Sequence, residues 1–292
     1  MADDWRTLQV APGTLQSLSP QLRKAARFVV NNPGEIATRS QRFVARSTDI
    51  PAPTFTRLAK AIGYKSYDEL RDACRDKVLH RRTCLAEKAQ VQIGAREDET
   101  GFAARHVAAS LRNTDALLAE LDVAQVQALV RLLEGARRVR LLGALSAKPI
   151  LDYVVYLANM SLGGWRAFGP ETGALANDLA DLDEKDACIV FSVQPYAARA
   201  VALARYVAGL HVPVVAVTDS PAAPVADYAQ HCVALRTESP QFFPSHATAV
   251  VFFEAIVGML IRMNGQDAQQ RIAEIEHRNH QLGEYWQDMP VS

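Results

Sequence analysis

From residue 138 onward the chain alternates between short apolar segments and amphipathic segments of helical length. The apolar segments are four to six residues long, which is typical of strands that are buried on both faces. They lie at 139–143, 165–168, 187–192, 213–218 and 231–235, with helical segments between them at 146–162, 174–180, 197–209 and 225–229. This alternation predicts an α/β fold built on a doubly wound, mainly parallel five-stranded sheet.

Ligands of such sheets bind where the strands end, so functional residues are expected just after Gly143, Ser192 and Thr218. The first loop places a serine at the start of a helix, where free amide groups favour an anion. A later segment places a serine and a histidine at the start of a long apolar helix. The predicted ligand-binding residues are Ser146, Ser192, Gln194, Tyr196, Ser245 and His246. Plain helix capping is the alternative role for Ser146, Ser192 and His246.

Positive charge is concentrated in the first third of the chain, although the whole chain has a net charge of zero. Residues 1–88 contain 16 lysines and arginines against 9 aspartates and glutamates, which gives a net charge of +7. The rest of the chain carries the compensating −7. Because binding to phosphates needs local positive charge, this asymmetry indicates nucleic-acid contact through the N-terminal region, with a solvated basic surface as the alternative.

The same region contains two short predicted helices separated by a turn. The first begins at Ser40, is predicted to bury Phe43 and Val44, and ends near 47–49. The second begins with the prolines at 51 and 53, which fit only the opening turn of a helix. An earlier helix begins at Ser19 and is predicted to stop at the segment 31–34. The arrangement predicts a helix-turn-helix, with a generic basic helical bundle as the alternative.

The second of these helices would be the recognition helix of the helix-turn-helix. Residues early in such a helix face base edges, while basic residues further along reach phosphate or guanine. The predicted DNA contacts are Ser47, Thr48, Ala52, Pro53, Thr54, Thr56, Arg57, Lys60 and Lys65. The partner they imply is a double-stranded DNA operator.

The run from Leu18 to Leu70 resembles the N-terminal domain of the RpiR/MurR family of transcriptional regulators. Its most specific part is the pattern T-x-x-R-L-x-K-x-x-G-Y-x-x-Y-x-E-L, which begins at Thr54. Two positions depart from the family pattern, with Asp49 in place of the usual turn glycine and Pro51 in place of the usual serine. Asp tolerates the left-handed turn conformation better than most residues, so the fold is expected to survive this change.

The region 122–264 resembles the SIS (sugar isomerase) domain that follows the helix-turn-helix in these regulators. The resemblance rests on strand order and on the G-x-x-S pattern from Gly143 to Ser146. It implies a phosphosugar site in which a second loop, S-x-S-G-x-T, also holds the phosphate. Here Gln194, Pro195 and Ala197 replace the second serine, the glycine and the threonine of that loop. The loss of two hydroxyl donors predicts a ligand other than a standard sugar phosphate.

Other features narrow the expected class of protein. The sequence has no run of 18 to 20 apolar residues and no signal peptide, so a soluble cytoplasmic protein without membrane association is expected. Its four cysteines show no C-x-x-C spacing and are expected to be reduced thiols. Glu274 and His277 form one E-x-x-H spacing, which is better explained by an exposed charged helix than by a metal site. No nucleotide-binding motif occurs, and we predict no cofactor, metal or catalytic residue.

These features predict a non-enzymatic transcriptional regulator whose operator affinity changes when a small metabolite binds. The metabolite would be a sugar phosphate or another small polar molecule. A sugar-phosphate isomerase is the alternative, with Glu171, Glu254 and His246 as the available bases. A helix-turn-helix normally reads two half-sites, so a homodimer or homotetramer is expected, with interface helices around 150–162 and 247–263.

Four regions follow from these patterns. We predict a helix-turn-helix domain at 1–82, a helical linker at 83–121, the SIS-like ligand-binding domain at 122–264 and a C-terminal helix at 265–292.

Overall fold

The computed structural model describes residues 18–81, 85–95, 99–168 and 175–286 of the chain. An all-helical N-terminal region precedes a parallel sheet that is covered by helices on both faces. The predicted fold class, α/β with an all-α N-terminal domain, is therefore confirmed.

From residue 18 onward, the described part of the N-terminal region contains α1 (Pro20–Asn31), α2 (Pro33–Thr38), α3 (Gln41–Thr48), α4 (Ala52–Ala61) and α5 (Tyr67–Arg81). Their apolar faces enclose one core, in which Val44, Phe55, Leu58 and Leu70 are completely buried. Phe55 contacts the rings of Phe28 and Tyr67 edge to face. Helices α3 and α4 therefore have a fixed relative orientation.

The turn between α3 and α4 forms as the sequence predicts. Ser40 caps α3 by accepting a hydrogen bond from the amide of Phe43, and Asp49 adopts the left-handed conformation with φ 53°. After α4, Gly63 has φ 96°, a conformation that glycine adopts without strain. The polypeptide thus changes direction at both ends of α4 through local conformational preferences.

One local prediction in this region is wrong, and one helix was not predicted. The segment 31–34 ends α1, but Pro33 also opens a new helix, α2, because proline fits the first turn of a helix. Phe43 is not buried: 45% of it is exposed, and the guanidinium of Arg39 lies 4.6 Å from its ring centroid. Val44 fills the core position instead, one residue further along the helix.

The second region contains α6 (Leu85–Gly94), α7 (Glu99–Glu120), α8 (Val123–Glu134), β1 (Val139–Gly143), α9 (Ala147–Ser161), β2 (Trp165–Ala167), α10 (Leu175–Ala180), β3 (Ala187–Ser192), α11 (Ala198–Gly209), β4 (Val214–Thr218), a 3₁₀ helix (Pro224–Tyr228), β5 (His231–Ala234) and α12 (Ala247–Leu282). The strand order is β2-β1-β3-β4-β5, and every pair is parallel. All five strands lie where the sequence predicts them.

The central strand β3 has core on both sides. Alternate residues point to opposite faces, so Phe191 packs in the cluster beneath α8, α9 and α12. Val190 packs in the cluster beneath α11. Both residues are buried, which explains why this strand reads as a continuous apolar run.

Helix α12 packs along the sheet through Phe252, Phe253 and Ile256, which are buried. Gly265 interrupts its helical geometry with φ 51°, at the boundary predicted for the C-terminal helix. By length and composition alone this helix could cross a membrane. Its buried apolar residues are those of a core helix packed against a sheet.

Helix α7 packs against α12, although it lies within the predicted linker. Asn113 of α7 is buried and donates a hydrogen bond of 2.8 Å to the carbonyl of Glu238. This part of the chain is thus attached to the sheet domain.

An ion-pair cluster lies at the edge of the sheet where the strands begin. The Asp186 carboxylate, just before β3, is buried and accepts hydrogen bonds from Arg137 and Arg138, just before β1. Burial opposes ionisation of Asp186, but the arginine hydrogen bonds outweigh it and hold the pKa of this carboxyl below its usual range. The cluster therefore joins two adjacent strands.

The cysteines whose positions are described are free thiols. Cys74 and Cys188 are buried, and Cys232 is half-buried. Burial raises the pKa of Cys188 to about 12 and that of Cys232 to about 11. These thiols are protonated at neutral pH and poorly reactive, as expected from their spacing. Cys84 lies outside the described residues.

Candidate functional site

The carboxyl ends of β1, β3 and β4 lie side by side, because Gly143 pairs with Phe191 and Ser192 pairs with Thr218. The loops that follow these strands therefore meet at one edge of the sheet, as predicted. We call this region the carboxyl edge.

The first loop is shaped by close approach of helix α9 to β1. A Cβ atom on Gly143 would lie 2.8 Å from Cδ1 of Leu151 and 3.2 Å from Ala147, so a larger residue here would displace the start of α9 or Leu151. Leu145 adopts a positive φ of 55° and is largely exposed. Ser146 follows at the N-terminus of α9, but its side chain makes no capping hydrogen bond. Its hydroxyl is instead directed to another partner.

That partner is His246, 100 residues later in the chain. Its Nε2 lies 3.0 Å from Oγ of Ser146. The imidazole packs edge to face against Phe191 and Phe243, at centroid distances of 5.3 and 6.0 Å. Burial lowers the pKa of His246 below its usual value. The structure thus brings together two of the predicted ligand-binding residues in a partly apolar setting.

Ser245 has a structural role at this position. Its Oγ accepts a hydrogen bond from the amide of Ala247, and its own amide donates to the carbonyl of Thr237. The serine is buried, and its hydroxyl binds the first amide of α12. Capping by Ser245 leaves the His246 side chain to contact Ser146.

The loop after β3 is held by a residue that the sequence analysis missed. Asp219, which directly follows β4, accepts a hydrogen bond of 2.8 Å from the hydroxyl of Tyr196 at Oδ1. Its Oδ2 accepts one of 3.2 Å from the amide of Gln194. Ser192 is buried at the end of β3, and the peptide bond between Gln194 and Pro195 is cis. Asp219 could have been found in the sequence as an acidic residue that directly follows a predicted central strand.

Helix α4, the predicted recognition helix, presents a basic outer face. Pro53, Arg57 and Lys60 are exposed, and Ala52 and Thr56 are half-buried. Gln41 of α3 donates hydrogen bonds to the carbonyl of Ala52 and the hydroxyl of Thr56, which fixes the start of α4.

The placement of Thr54 on this outer face is wrong. Only 1% of Thr54 is exposed. It precedes Leu58 by four residues, so both side chains lie on the buried face of the helix. Thr54 therefore packs in the core and is removed from the candidate DNA contacts.

The remaining candidates flank α4. Ser47 is exposed and Thr48 half-buried at the end of α3, and both hydroxyls donate to the carbonyl of Val44. Lys65 is exposed just beyond α4. These residues lie on either side of the recognition helix in sequence, where phosphate contacts are expected.

The N-terminal region contacts the loop after β4. Ala222 is buried in the core cluster of the N-terminal helices. Arg27 of α1 forms an ion pair of 3.0 Å with Asp227 of the 3₁₀ helix. Between these regions lies a cavity of about 280 Å³, lined among others by Arg23, Gln125 and Arg236. The cavity thus lies beside edge strand β5, and Ser146 and His246 are not among its lining residues.

The candidate bases of the isomerase alternative do not form a cluster. Glu254 is exposed on α12 and accepts a hydrogen bond of 2.6 Å from Tyr153. It follows His246 by eight residues, which separates the two by about 12 Å along the helix. Glu171 lies outside the described residues. Within the described ranges, no group of three histidine, cysteine or acidic residues could hold a metal ion.

Residues 132–261 match the family model of the SIS domain, so this part of the chain is a SIS domain. No curated protein sequence matches the chain.

Solved structures show the same fold. The sugar isomerase domain of an RpiR transcription factor from Sphaerobacter thermophilus is 20% identical, with a TM-score of 0.57, over 60% of this chain and 98% of that one. The Vibrio vulnificus NanR protein complexed with ManNAc-6P is 16% identical, with a TM-score of 0.55, over 92% of this chain and 96% of that one. A Listeria monocytogenes protein described as a candidate sugar-phosphate isomerase is 15% identical, with a TM-score of 0.52, over 61% and 98% of the two chains.

The chain thus combines a helical N-terminal region with a SIS domain. The NanR likeness covers nearly the whole of both chains, so the similarity extends beyond the SIS domain to the complete fold. The fold is therefore shared with these two solved structures, as the sequence resemblance predicts.

Proposed function

We propose that the chain is a transcriptional regulator that binds operator DNA through α3 and α4, and that a small polar metabolite at the carboxyl edge changes its operator affinity. The observation that carries the proposal is the segment after β4. This single segment holds the loop of Gln194 and Tyr196 through Asp219, and three residues later it packs Ala222 into the N-terminal core. A ligand that moves this loop would therefore act on the DNA-binding region.

The proposed DNA contacts are the accessible residues of α4 and its flanks. They are Ser47, Thr48, Ala52, Pro53, Thr56, Arg57, Lys60 and Lys65. The early residues of α4 would face base edges, and the basic residues would contact phosphate or guanine. The net charge of +7 over residues 1–88 supports binding to DNA.

The proposed ligand contacts are Ser146 and His246, together with Ser192, Gln194 and Tyr196. Ser245 supports them by capping α12. The coupling requires the ligand to favour one arrangement of the DNA-binding regions, typically by about 1–3 kcal/mol. Arg27 and Asp227 join the two regions through an ion pair that such a rearrangement would break.

We further propose that the regulator is a cytoplasmic homodimer or homotetramer. Tyr156 and Val251 are large side chains left exposed on α9 and α12, the helices predicted to form the interface. A two-fold dimer would present two recognition helices to half-sites about one turn of DNA apart. The boundaries 1–82, 83–121, 122–264 and 265–292 remain our proposed division of the chain.

Sequencing of genomic DNA retained by the purified full-length protein tests this function. We expect enrichment of a site with two-fold related half-sites and a steep loss of binding as salt increases. Binding equal to that of bulk DNA at every salt concentration would contradict the proposal.

An isomerase activity is the second candidate, since a SIS-fold protein described as a candidate sugar-phosphate isomerase has the same fold. The separation of Glu254 from His246 does not favour it. Incubation with aldose and ketose phosphates distinguishes the two, because turnover that is lost in a His246→Ala variant would support the enzyme.

A further inference from the structure

The carboxylate of Asp219 already occupies the donors of the second loop. It accepts the Tyr196 hydroxyl at 2.8 Å and the Gln194 amide at 3.2 Å. The hydroxyl of Thr218 lies 3.4 Å from the same carboxylate. Donors that an incoming anion would need are therefore satisfied by an anion that belongs to the protein.

No lysine or arginine within the described ranges pairs with the carboxylate of Asp219. Lys148, which begins the helix after the first loop, is paired with Asp152 at 2.7 Å. Asp219 is half-buried, so solvent screens its charge only in part.

The Ser146 and His246 side chains add no positive charge to the carboxyl edge. Ser146 is neutral, and burial lowers the pKa of its partner His246, which favours the neutral imidazole. A phosphate approaching the second loop would thus meet a like charge and few available donors. A protonated amine would meet a carboxylate that accepts its hydrogen bonds.

We propose that the carboxyl edge binds a small metabolite that presents a protonated amine to Asp219, and that it rejects phosphorylated ligands. This inference rests on the proposed function only for the location of the effector site. Asp219 is then the residue that determines the class of ligand, with Ser146 and His246 as neutral hydrogen-bonding partners.

Calorimetric titration of the full-length protein with matched ligands tests the proposal without a variant. Glucosamine and ethanolamine are each compared with their N-acetylated and phosphorylated counterparts, and inorganic phosphate is included. We expect at least one amine to bind at least tenfold more tightly than its N-acetylated counterpart, and no phosphate to bind at 10 mM. Tighter binding of a phosphorylated ligand, or no binding of either amine at 10 mM, would overturn the proposal.

Two substitutions separate charge from shape. Asp219→Asn removes the charge and is expected to bring the affinity ratio of amine to N-acetylated ligand close to one. Asp219→Glu keeps the charge and is expected to retain a ratio above one even if its affinity falls. Equal ratios in the two variants would contradict a charge-based selection, and the titration of the wild-type protein decides the matter if a variant fails to fold.

The binding measurement contains no DNA, so it can fail independently of the proposed function. Amine binding without any operator binding would leave the ligand class intact and reject the regulator. Operator binding that responds to a sugar phosphate but to neither amine would support the regulator and overturn the ligand class.

Discussion

The Nε2 atom of His246 lies 3.0 Å from Oγ of Ser146, which connects the start of the last helix to the first loop of the sheet. Neither side chain caps its own helix. Ser245 provides the cap for α12, and His246 is left at the carboxyl edge. The contact therefore defines one side of the proposed ligand site.

We predict that His246 titrates below the usual histidine value of about 6.5. Its pKa is lowered by burial, so protonation favours the unfolded chain. The free energy of unfolding should consequently fall as the pH drops below about 6.5. NMR titration of the imidazole resonances gives the midpoint directly, with His246→Gln as the assignment variant.

His231 provides a control, because burial lowers its pKa as well. The His231→Gln variant should leave the His246 midpoint unchanged while removing its own resonance. A His246 midpoint at or above 6.5 would contradict the proposed neutral site.

Arg57→Ala should weaken operator binding by about 1–3 kcal/mol without unfolding the protein. The residue is exposed on α4, so its removal costs little packing. A gel-shift titration with an enriched site measures the effect. Arg262→Ala, an exposed arginine on α12, is the matched control and should bind normally. Equal affinity of the two variants would show that α4 is misplaced as the recognition helix.

Ala222→Glu should separate the N-terminal region from the SIS domain. Ala222 is only 3% exposed within the N-terminal core, where a carboxylate cannot be solvated. We expect an increased radius of gyration in small-angle X-ray scattering and a weaker effect of ligand on DNA binding. Ala202→Glu, at an exposed site on α11, should change neither quantity. An unchanged radius for Ala222→Glu would argue against this docking contact.

Asp186→Asn should lower the free energy of unfolding at pH 7 by about 2–4 kcal/mol. The substitution removes the buried charge that pairs with Arg137 and Arg138. The pKa of Asp186 is lowered in the folded state, so its contribution is present above about pH 4 and is lost as the pH falls further. Urea unfolding at pH 7 and pH 3 measures both effects. If wild type and variant differ in free energy of unfolding by the same amount at both pH values, the predicted titration of Asp186 is wrong.

Replacing both Tyr156 and Val251 by glutamate should dissociate the proposed dimer. These side chains are 61% and 41% exposed in the single chain, and a dimer interface on α9 and α12 would bury them. Sedimentation velocity measures the change in mass. Leu118→Glu alters an 81% exposed residue on α7 and should leave the assembly intact. A wild-type protein that sediments as a monomer would refute the interface.

The sequence alone determined the strands, the order of the domains and the turn at Asp49. These features depend on nearby residues: a strand buried on both faces needs a continuous apolar run, and a helix begins at a capping side chain. Ser40 and Ser245 cap their helices by this local rule. The sequence predicted the buried faces of helices less well, because Phe43 was assigned to the buried face and Thr54 to the exposed face.

Only the tertiary structure decided which distant residues meet. Asp219 contacts a loop more than 20 residues earlier in the chain, and Ser146 contacts a histidine 100 residues later. Such contacts depend on strand register and on the side chain's direction at the end of each strand, neither of which leaves a local pattern in the sequence. The sequence thus determined where the carboxyl edge forms, while packing of parallel strands decided that a carboxylate of the protein holds its second loop.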